Sequence, residues 1–445
     1  MATRRWLGNA VQITQVDTIT VANTWATNDT VTMTINGKSI VLTIKTDTST
    51  ANVATAIKEI WNGDTQTGTG AHIASPTFAD GGGNSIPEFK EITASVTGSV
   101  VTLKADTSGK PFVLTVTETT AGSGTATEAT ATAATGKHFW SDADNWSGSA
   151  VPVDSDVVVF QNGNVSAKYG LDQNGVSPAS LYVYQSYTGE IGLPEINTDA
   201  AATPYREYRD RYLKISNSGD GVTATVQIGM GKGAGSKRLN IDLNTGRANV
   251  LVSGTGQRDQ AGVPPLNLKG THSSNTLTIR KGDVAVALED GGSTTMATIR
   301  IGYDSHRASD AKLYAGPALT WSTLNMDGGE VEINSNGTTL SQVAGQATIQ
   351  RAATLTTYTG RGGELRYNST GTLATAKISA DAVLDFSRDL QTKTVTNPVE
   401  VYGERARILD PFQLVGSLVV DLNEGAHVGQ HDLGTNIRLT RGTPS

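Results

Sequence analysis

Four segments in the second half of the chain repeat one plan. Residues 277–286 (LTIRKGDVAV), 324–333 (LNMDGGEVEI), 358–367 (YTGRGGELRY) and 378–386 (ISADAVLDF) share an apolar pair, a turn built on Gly or Ala and a second alternating strand, and in three of them an acidic residue directly follows the turn glycine. Setting Gly329, Gly345, Gly363 and Ala382 at equivalent turns gives steps of 16, 18 and 19 residues. A unit that short cannot bury its apolar face alone, but stacked units can. Steps of this size fit one coil of a parallel β-helix, whereas a propeller blade takes about 40 residues or more. The repeat is degenerate, and an antiparallel sandwich over 161–410 is the competing expectation.

Composition agrees with a β class. Gly contributes 49 of 445 residues, Thr is abundant and strongly helix-forming runs are scarce, a mixture that favours short strands joined by turns. The densest stretch, 138–160 (HFWSDADNWSGSAVPVDSDVVVF), puts Phe139, Trp140 and Trp146 ahead of a β-branched burst at 157–160. A Trp-bearing turn followed by an apolar strand can cap the raw edge with which every solenoid must begin.

Ahead of it the alternation at 16–21, a hairpin around Asn36-Gly37, a helix over 48–62 with Val53, Ile57, Ile60 and Trp61 on one face, and further strands at 92–96, 100–103 and 112–116 describe a compact α+β domain. The expected organisation is an N-terminal arm (1–12), the α+β domain (13–120), a Thr/Ala/Gly-rich linker (121–137), a β-helix-like domain (138–410) and a C-terminal cap or oligomerisation segment (411–445). The expected fold class is mainly β, with a small N-terminal α+β domain followed by a right-handed parallel β-helix-like solenoid.

In the arm, Arg4, Arg5 and Trp6 stand together, and a Trp flanked by cations suits docking onto a neighbour; a Trp folded back on its own domain is the alternative. Tyr205, Tyr208 and Tyr212 (YREYRDRY) recur at i, i+3, i+7, with Glu207 and Arg211 four apart. That pattern suits a short amphipathic helix or an insertion from a coil. It would bind a partner or a sugar, or simply pack its rings on the solenoid.

Little else points to chemistry. Without cysteine there are no disulfides, thiolate nucleophiles or Cys-held metals. GMGKGAGSK (229–237) lacks the Gly-Lys-Ser/Thr order of a phosphate loop and reads as a flexible turn. His427 and His431 lie four apart next to Asp432, but Gly425 and Gly429 surround them; loop histidines are expected, with a metal on a trimer axis as the alternative. His72, His138, His272 and His306 are isolated, and no serine sits in a GxSxG elbow. Asp142, Asp144, Asp154, Asp156, Asp381, Asp385 and Asp389 could supply a glycosidase pair; most fall at turns, where Asp braces the backbone. The expectation is no catalytic residue, no cofactor and no metal. A net charge of −7 gives no signal for nucleic acid or a membrane face. The opening residues lack the apolar run of a secretory leader.

The opening sixty residues, from ATRRWLGNAVQITQVDTITV through DTVTMTINGK to VATAIKEIW, resemble the N-terminal module of structural proteins from tailed bacteriophages. FWSDADNWSGSAVPVDSDVVVF is similar to the W…NW…P…D…V.F entry motif ahead of β-helices in autotransporter-like passengers and related phage proteins. Lacking a leader and a C-terminal barrel pattern, the chain fits the phage case better. The resemblance implies a virion structural protein, a capsid decoration or head-fibre subunit with Arg4, Arg5 and Trp6 as capsid or subunit contacts. Its implied partners are the major capsid protein or other virion proteins, in a homotrimer matched to capsid threefold positions, with no direct nucleic acid and no membrane. The alternatives are a β-helical tailspike or fibre that binds or cleaves host glycan, and a bacterial surface adhesin.

Overall fold

The computed structural model describes residues 1–64, 73–75, 86–198, 204–215, 224–289, 292–303, 310–435 and 437–441. Its main body is a parallel β-solenoid made of two long sheets. The first runs through fourteen successive strands, beginning Thr3–Arg5, Val157–Phe160, Ser180–Tyr184 and ending at Leu418–Leu422 and Ile437–Arg441; the second has twelve, from Asp172–Gln173 to Asp432–Leu433. Successive turns of the chain contribute alternately to the two sheets, and every pairing in both is parallel. The sandwich alternative is thereby excluded.

The repeat steps have a direct structural counterpart. In the second sheet Glu330 pairs with Gln346, Gln346 with Glu364 and Glu364 with Val383. These are the residues that follow Gly329, Gly345, Gly363 and Ala382. Each coil drops one apolar side chain onto the one below. Val158, Leu181, Val226, Val250, Leu277, Ile299, Leu324, Leu340, Tyr358, Ala376, Val399 and Val420 form one continuous buried row. In the middle coils the inward residues of the first sheet are three apart rather than two: Met296 and Ile299, Trp321 and Leu324, Leu355 and Tyr358 are buried. The ladder skips one pairing there, joining Met296 to Trp321 and Thr298 to Thr323 with nothing between. Two outward residues in succession turn a corner, because a pleated strand otherwise alternates.

The α+β domain stands ahead of the solenoid in the chain, as expected, except that one solenoid strand precedes it. Thr3–Arg5 pairs with Val157–Phe160, so the first strand of the solenoid is separated from the second by the whole domain. The expected arm is therefore the solenoid's first strand. The domain holds two four-stranded antiparallel sheets, ordered Ile92–Thr97, Val100–Ala105, Val16–Ala22, Thr125–Thr132 and Ile73–Ser75, Lys38–Thr43, Thr30–Ile35, Thr115–Thr119. Asn36 and Gly37, at φ 55° and 67°, make the tight turn between two of these strands. The helix Thr50–Asn62 starts on a Ser49 cap and ends at Gly63, φ 72°, and buries Val53, Ile57, Ile60 and Trp61.

Two boundaries move. The expected linker 121–137 contains Thr125–Thr132, paired along Val16–Ala22. Of its side chains only Ala126 is buried, so main-chain bonds rather than apolar burial carry it. In the expected cap, 411–445, the strands Leu418–Leu422, Asp432–Leu433 and Ile437–Arg441 continue the same coil pattern, and 436 and 442–445 lie outside the described residues. No helix among the described residues is long and apolar enough to cross a membrane.

Candidate functional site: the base of the solenoid

The three residues expected as a contact patch converge on the entry motif. Trp6 is only 4% exposed. It stands edge-on to Trp146 at 5.0 Å between centroids and lies 5.7 Å from Phe160, and its Nε1 donates to the Val165 carbonyl at 2.8 Å. Trp140 completes the plug, 4.6 Å from Trp146. Such offset and edge-on rings add about 0.5–1.5 kcal/mol per pair beyond their buried area. Trp6 is thus a core residue, which corrects the docking expectation for it.

Arg4 turns to Asp156, Nε to Oδ2 at 3.3 Å. The buried Asp156 carboxylate also accepts the Ala2 N–H at 2.6 Å and the Val153 N–H at 3.3 Å. Burial alone would raise its pKa, but these N–H groups and the Arg4 guanidinium outweigh it and hold the carboxyl below its usual range. Arg5 gives its backbone N–H to Ser147 Oγ at 2.9 Å and leaves its side chain exposed. Only Arg5 of the three faces outward.

Asn145, fully buried, ties the remaining threads. Its Oδ1 accepts the Ala10 N–H at 2.9 Å, its Nδ2 donates to the carbonyls of Gly136 and Phe139 at 2.8 Å each, and its own carbonyl accepts the Leu7 N–H at 2.7 Å. The motif is therefore chemically specific: two tryptophans plug the stack, Asn145 holds both ends of the inserted domain, and Asp156 fixes the first strand.

A second device grips the inserted domain from the solenoid side. Residues 205–212 do not form a helix. Tyr205–Arg206 pairs antiparallel with Ile196–Asn197 in an excursion between coils, which agrees with the insertion reading. Arg209 is bound by Glu207, Nε to Oε1 at 2.7 Å and Nη2 to Oε2 at 2.8 Å, and donates to the Pro111 carbonyl at 2.9 Å. Tyr205 donates to Glu91 Oε1 at 2.8 Å, which also accepts Lys110 Nζ at 2.6 Å. Glu91, Lys110 and Pro111 belong to the α+β domain, and Tyr208 packs on that domain's core. Burial raises the Glu207 carboxyl and Arg209 lowers it further, so the net shift is downward. Burial pushes the Tyr208 phenol up to about 12.

The other candidates among the described residues each have partners of their own. Asp142 accepts the Asp144 N–H, Asp154 the Ser177 N–H and Asp389 the Gln391 N–H. Asp385 accepts from Ser387 and Arg388, while Asp381 pairs with Arg405. His431 Nδ1 accepts the Ile408 N–H at 3.1 Å; burial, with His427 and Arg407 nearby, pushes its pKa down to about 4. His427 caps the turn Val428–Gln430, His138 Nδ1 donates to the Ser166 carbonyl, and the Ser274 N–H donates to His272 Nδ1. His72 and His306 lie outside the described residues. No group of three or more potential metal ligands occurs among the described residues. The glycine run 229–237 is interlocked with the next coil: a Cβ on Gly229 would sit 1.9 Å from the Gly254 carbonyl oxygen. A shallow groove of about 520 Å³ follows the glycine corner at 327–330 and 344–346.

No protein-family model, no curated protein and no solved structure matches this chain.

Proposed function

We propose that the chain is a structural subunit of a virus particle, of the capsid-decoration or head-fibre type. One observation carries the reading: the α+β domain is inserted into the first coil and clamped from outside by Tyr205 and Arg209. That arrangement supports a rigid spacer, since a domain held at both of its chain crossings and along one side transmits force instead of swinging. With parallel strands about 4.8 Å apart, the fourteen strands of the first sheet span roughly 60 Å. The major capsid protein or another virion protein is the proposed partner. The base is the proposed attachment end, where Arg5, Leu7, Val11 and Ile13 stay exposed around the buried Trp6.

The test is co-sedimentation of the purified chain with tailed-phage heads that lack it, beside a host-glycan binding and cleavage assay. Saturation of heads at a fixed stoichiometry supports the decoration reading. Failure to bind heads together with glycan binding or shortening would replace it with the tailspike reading.

A further inference from the structure

An Asn-Gly pair is chemically reactive wherever the glycine nitrogen can reach the asparagine side chain, because glycine has no Cβ to block the approach. The chain has five such pairs, at 36–37, 62–63, 162–163, 174–175 and 336–337. The fold ties down four of them. Asn36 Nδ2 donates to Glu88 Oε1 at 2.8 Å and to the Arg206 carbonyl at 3.4 Å. Asn62 exchanges two bonds of 3.0 Å with the main chain of Ala94, and the Gly63 N–H is committed to the Glu59 carbonyl. Asn336 Oδ1 accepts the Thr354 N–H at 2.9 Å, while the Gly337 N–H donates to the Thr354 carbonyl at 3.0 Å. Around 162–163 the main chain is held on both sides: the Asn162 N–H donates to Ser186 Oγ at 3.2 Å, and the Gly163 carbonyl accepts the Thr188 N–H at 2.8 Å.

The fifth pair is free. Asn174 and Gly175 are both exposed, the Asn174 side chain has no hydrogen-bond partner among the described residues, and a Cβ on Gly175 would meet nothing within 4 Å. They form the tip of a turn closed by the Val176 N–H on the Gln173 carbonyl at 2.9 Å. We infer that Asn174 is a self-modification site, which converts to aspartate and isoaspartate without an enzyme. The Gly175 nitrogen attacks Asn174 Cγ; the new C–N bond closes a succinimide ring as the Cγ–Nδ2 bond breaks, and the proton from the Gly175 nitrogen leaves with Nδ2 as ammonia. Water then opens the ring at one carbonyl or the other. Nothing is oxidised or reduced, and water is the only co-reactant. Either product adds a negative charge, beside the exposed Asp172, to a chain whose net charge is −7. Isoaspartate also routes the main chain through the former side chain, which lengthens the turn between Asp172–Gln173 in the second sheet and Ser180–Tyr184 in the first. The first coil of the solenoid therefore changes charge and turn length as the protein ages. The inference does not depend on the virion reading.

Peptide mapping by mass spectrometry tests it on the full chain held in mildly alkaline buffer, with isoaspartyl methyltransferase labelling to count isoaspartate. The fragment that contains Asn174 should convert several-fold faster than the fragments that contain the other four pairs, and should yield both products. In denaturant, where the fold ties down none of them, the five rates should converge. Gly175→Ala should slow conversion at Asn174 several-fold and leave the melting temperature at the parental value, since the added Cβ meets no neighbour. Conversion of Asn174 no faster than that of Asn36, Asn62 or Asn336 in the folded chain would overturn the inference, as would an unchanged spread of rates in denaturant. The map of the parent protein decides the matter even if the variant fails to fold.

Discussion

Gly345 shows how a single residue sets the coil geometry. Its φ is 83°, and a Cβ there would meet the Gly329 carbonyl oxygen at 2.4 Å and Met326 Cε at 2.7 Å; Gly363 stands in the same relation to Gly345. Gly37 also has a positive φ, 67°, but its Cβ would meet nothing within 4 Å. Gly345→Ala should therefore cost about 2–4 kcal/mol, combining a left-handed backbone with overpacking, and Gly37→Ala only about 1. Denaturant midpoints of the two variants would separate these terms, and equal losses would refute the stacked-turn account. His431 carries a pH signature. Its folded pKa is depressed to about 4, so between there and its unfolded value near 6.5 the unfolded chain binds the extra proton. Stability from this residue is present above about pH 6.5 and is lost as pH falls toward 4. His431→Asn should flatten that part of the melting-temperature profile, and an unchanged slope would assign it elsewhere.

At the scale of elements, the clamp and the first strand make opposite demands. Glu207→Gln leaves the buried Arg209 guanidinium with only the more distant Glu91 carboxylate, at 4.0 Å, as countercharge, a loss of up to about 3–5 kcal/mol. The double change Glu207→Gln with Arg209→Met should recover most of it, because it also removes the buried cation that the single change leaves short of countercharge. Chemical denaturation of the three proteins measures both numbers, and no recovery would mean that the contact to Pro111 dominates. Trp6→Ala removes a plug residue and should cost about 3–5 kcal/mol. Deleting residues 1–12 should destabilise the solenoid, since it takes away the first strand along with Trp6. A solenoid with undiminished thermal stability after that deletion would return these residues to the status of a loose arm.

Across the whole molecule, what could be read from the sequence was what repeats locally. The turns at Gly329, Gly345 and Gly363 recur at coil spacing, and the helix Thr50–Asn62 announces itself by its caps and one apolar face. The entry motif is also legible, because its two tryptophans, its turn formers and its Val-rich strand fall within some twenty residues, whereas the reach of Asn145 and Asp156 to Ala10, Ala2 and Arg4 is not. Long-range partners were not. Thr3–Arg5 is too short and too polar to read as a strand, and its partner is more than 150 residues away. Thr125–Thr132 looks like a linker because its Thr/Ala side chains bury almost nothing. The tyrosines of 205–212 have helical spacing by chance of sequence, while Glu91 and Pro111 of another domain dictate where Tyr205 and Arg209 go.

The central claim is that the α+β domain and the solenoid move as one body. It is tested most directly by a spin-label distance between Lys104→Cys on the domain and Thr338→Cys on the solenoid, both exposed positions in a chain with no other cysteine. A single narrow distance distribution is expected, broadening when Arg209→Ala opens the clamp. A broad distribution in the parent protein would contradict the claim and leave a domain that swings on its two crossings.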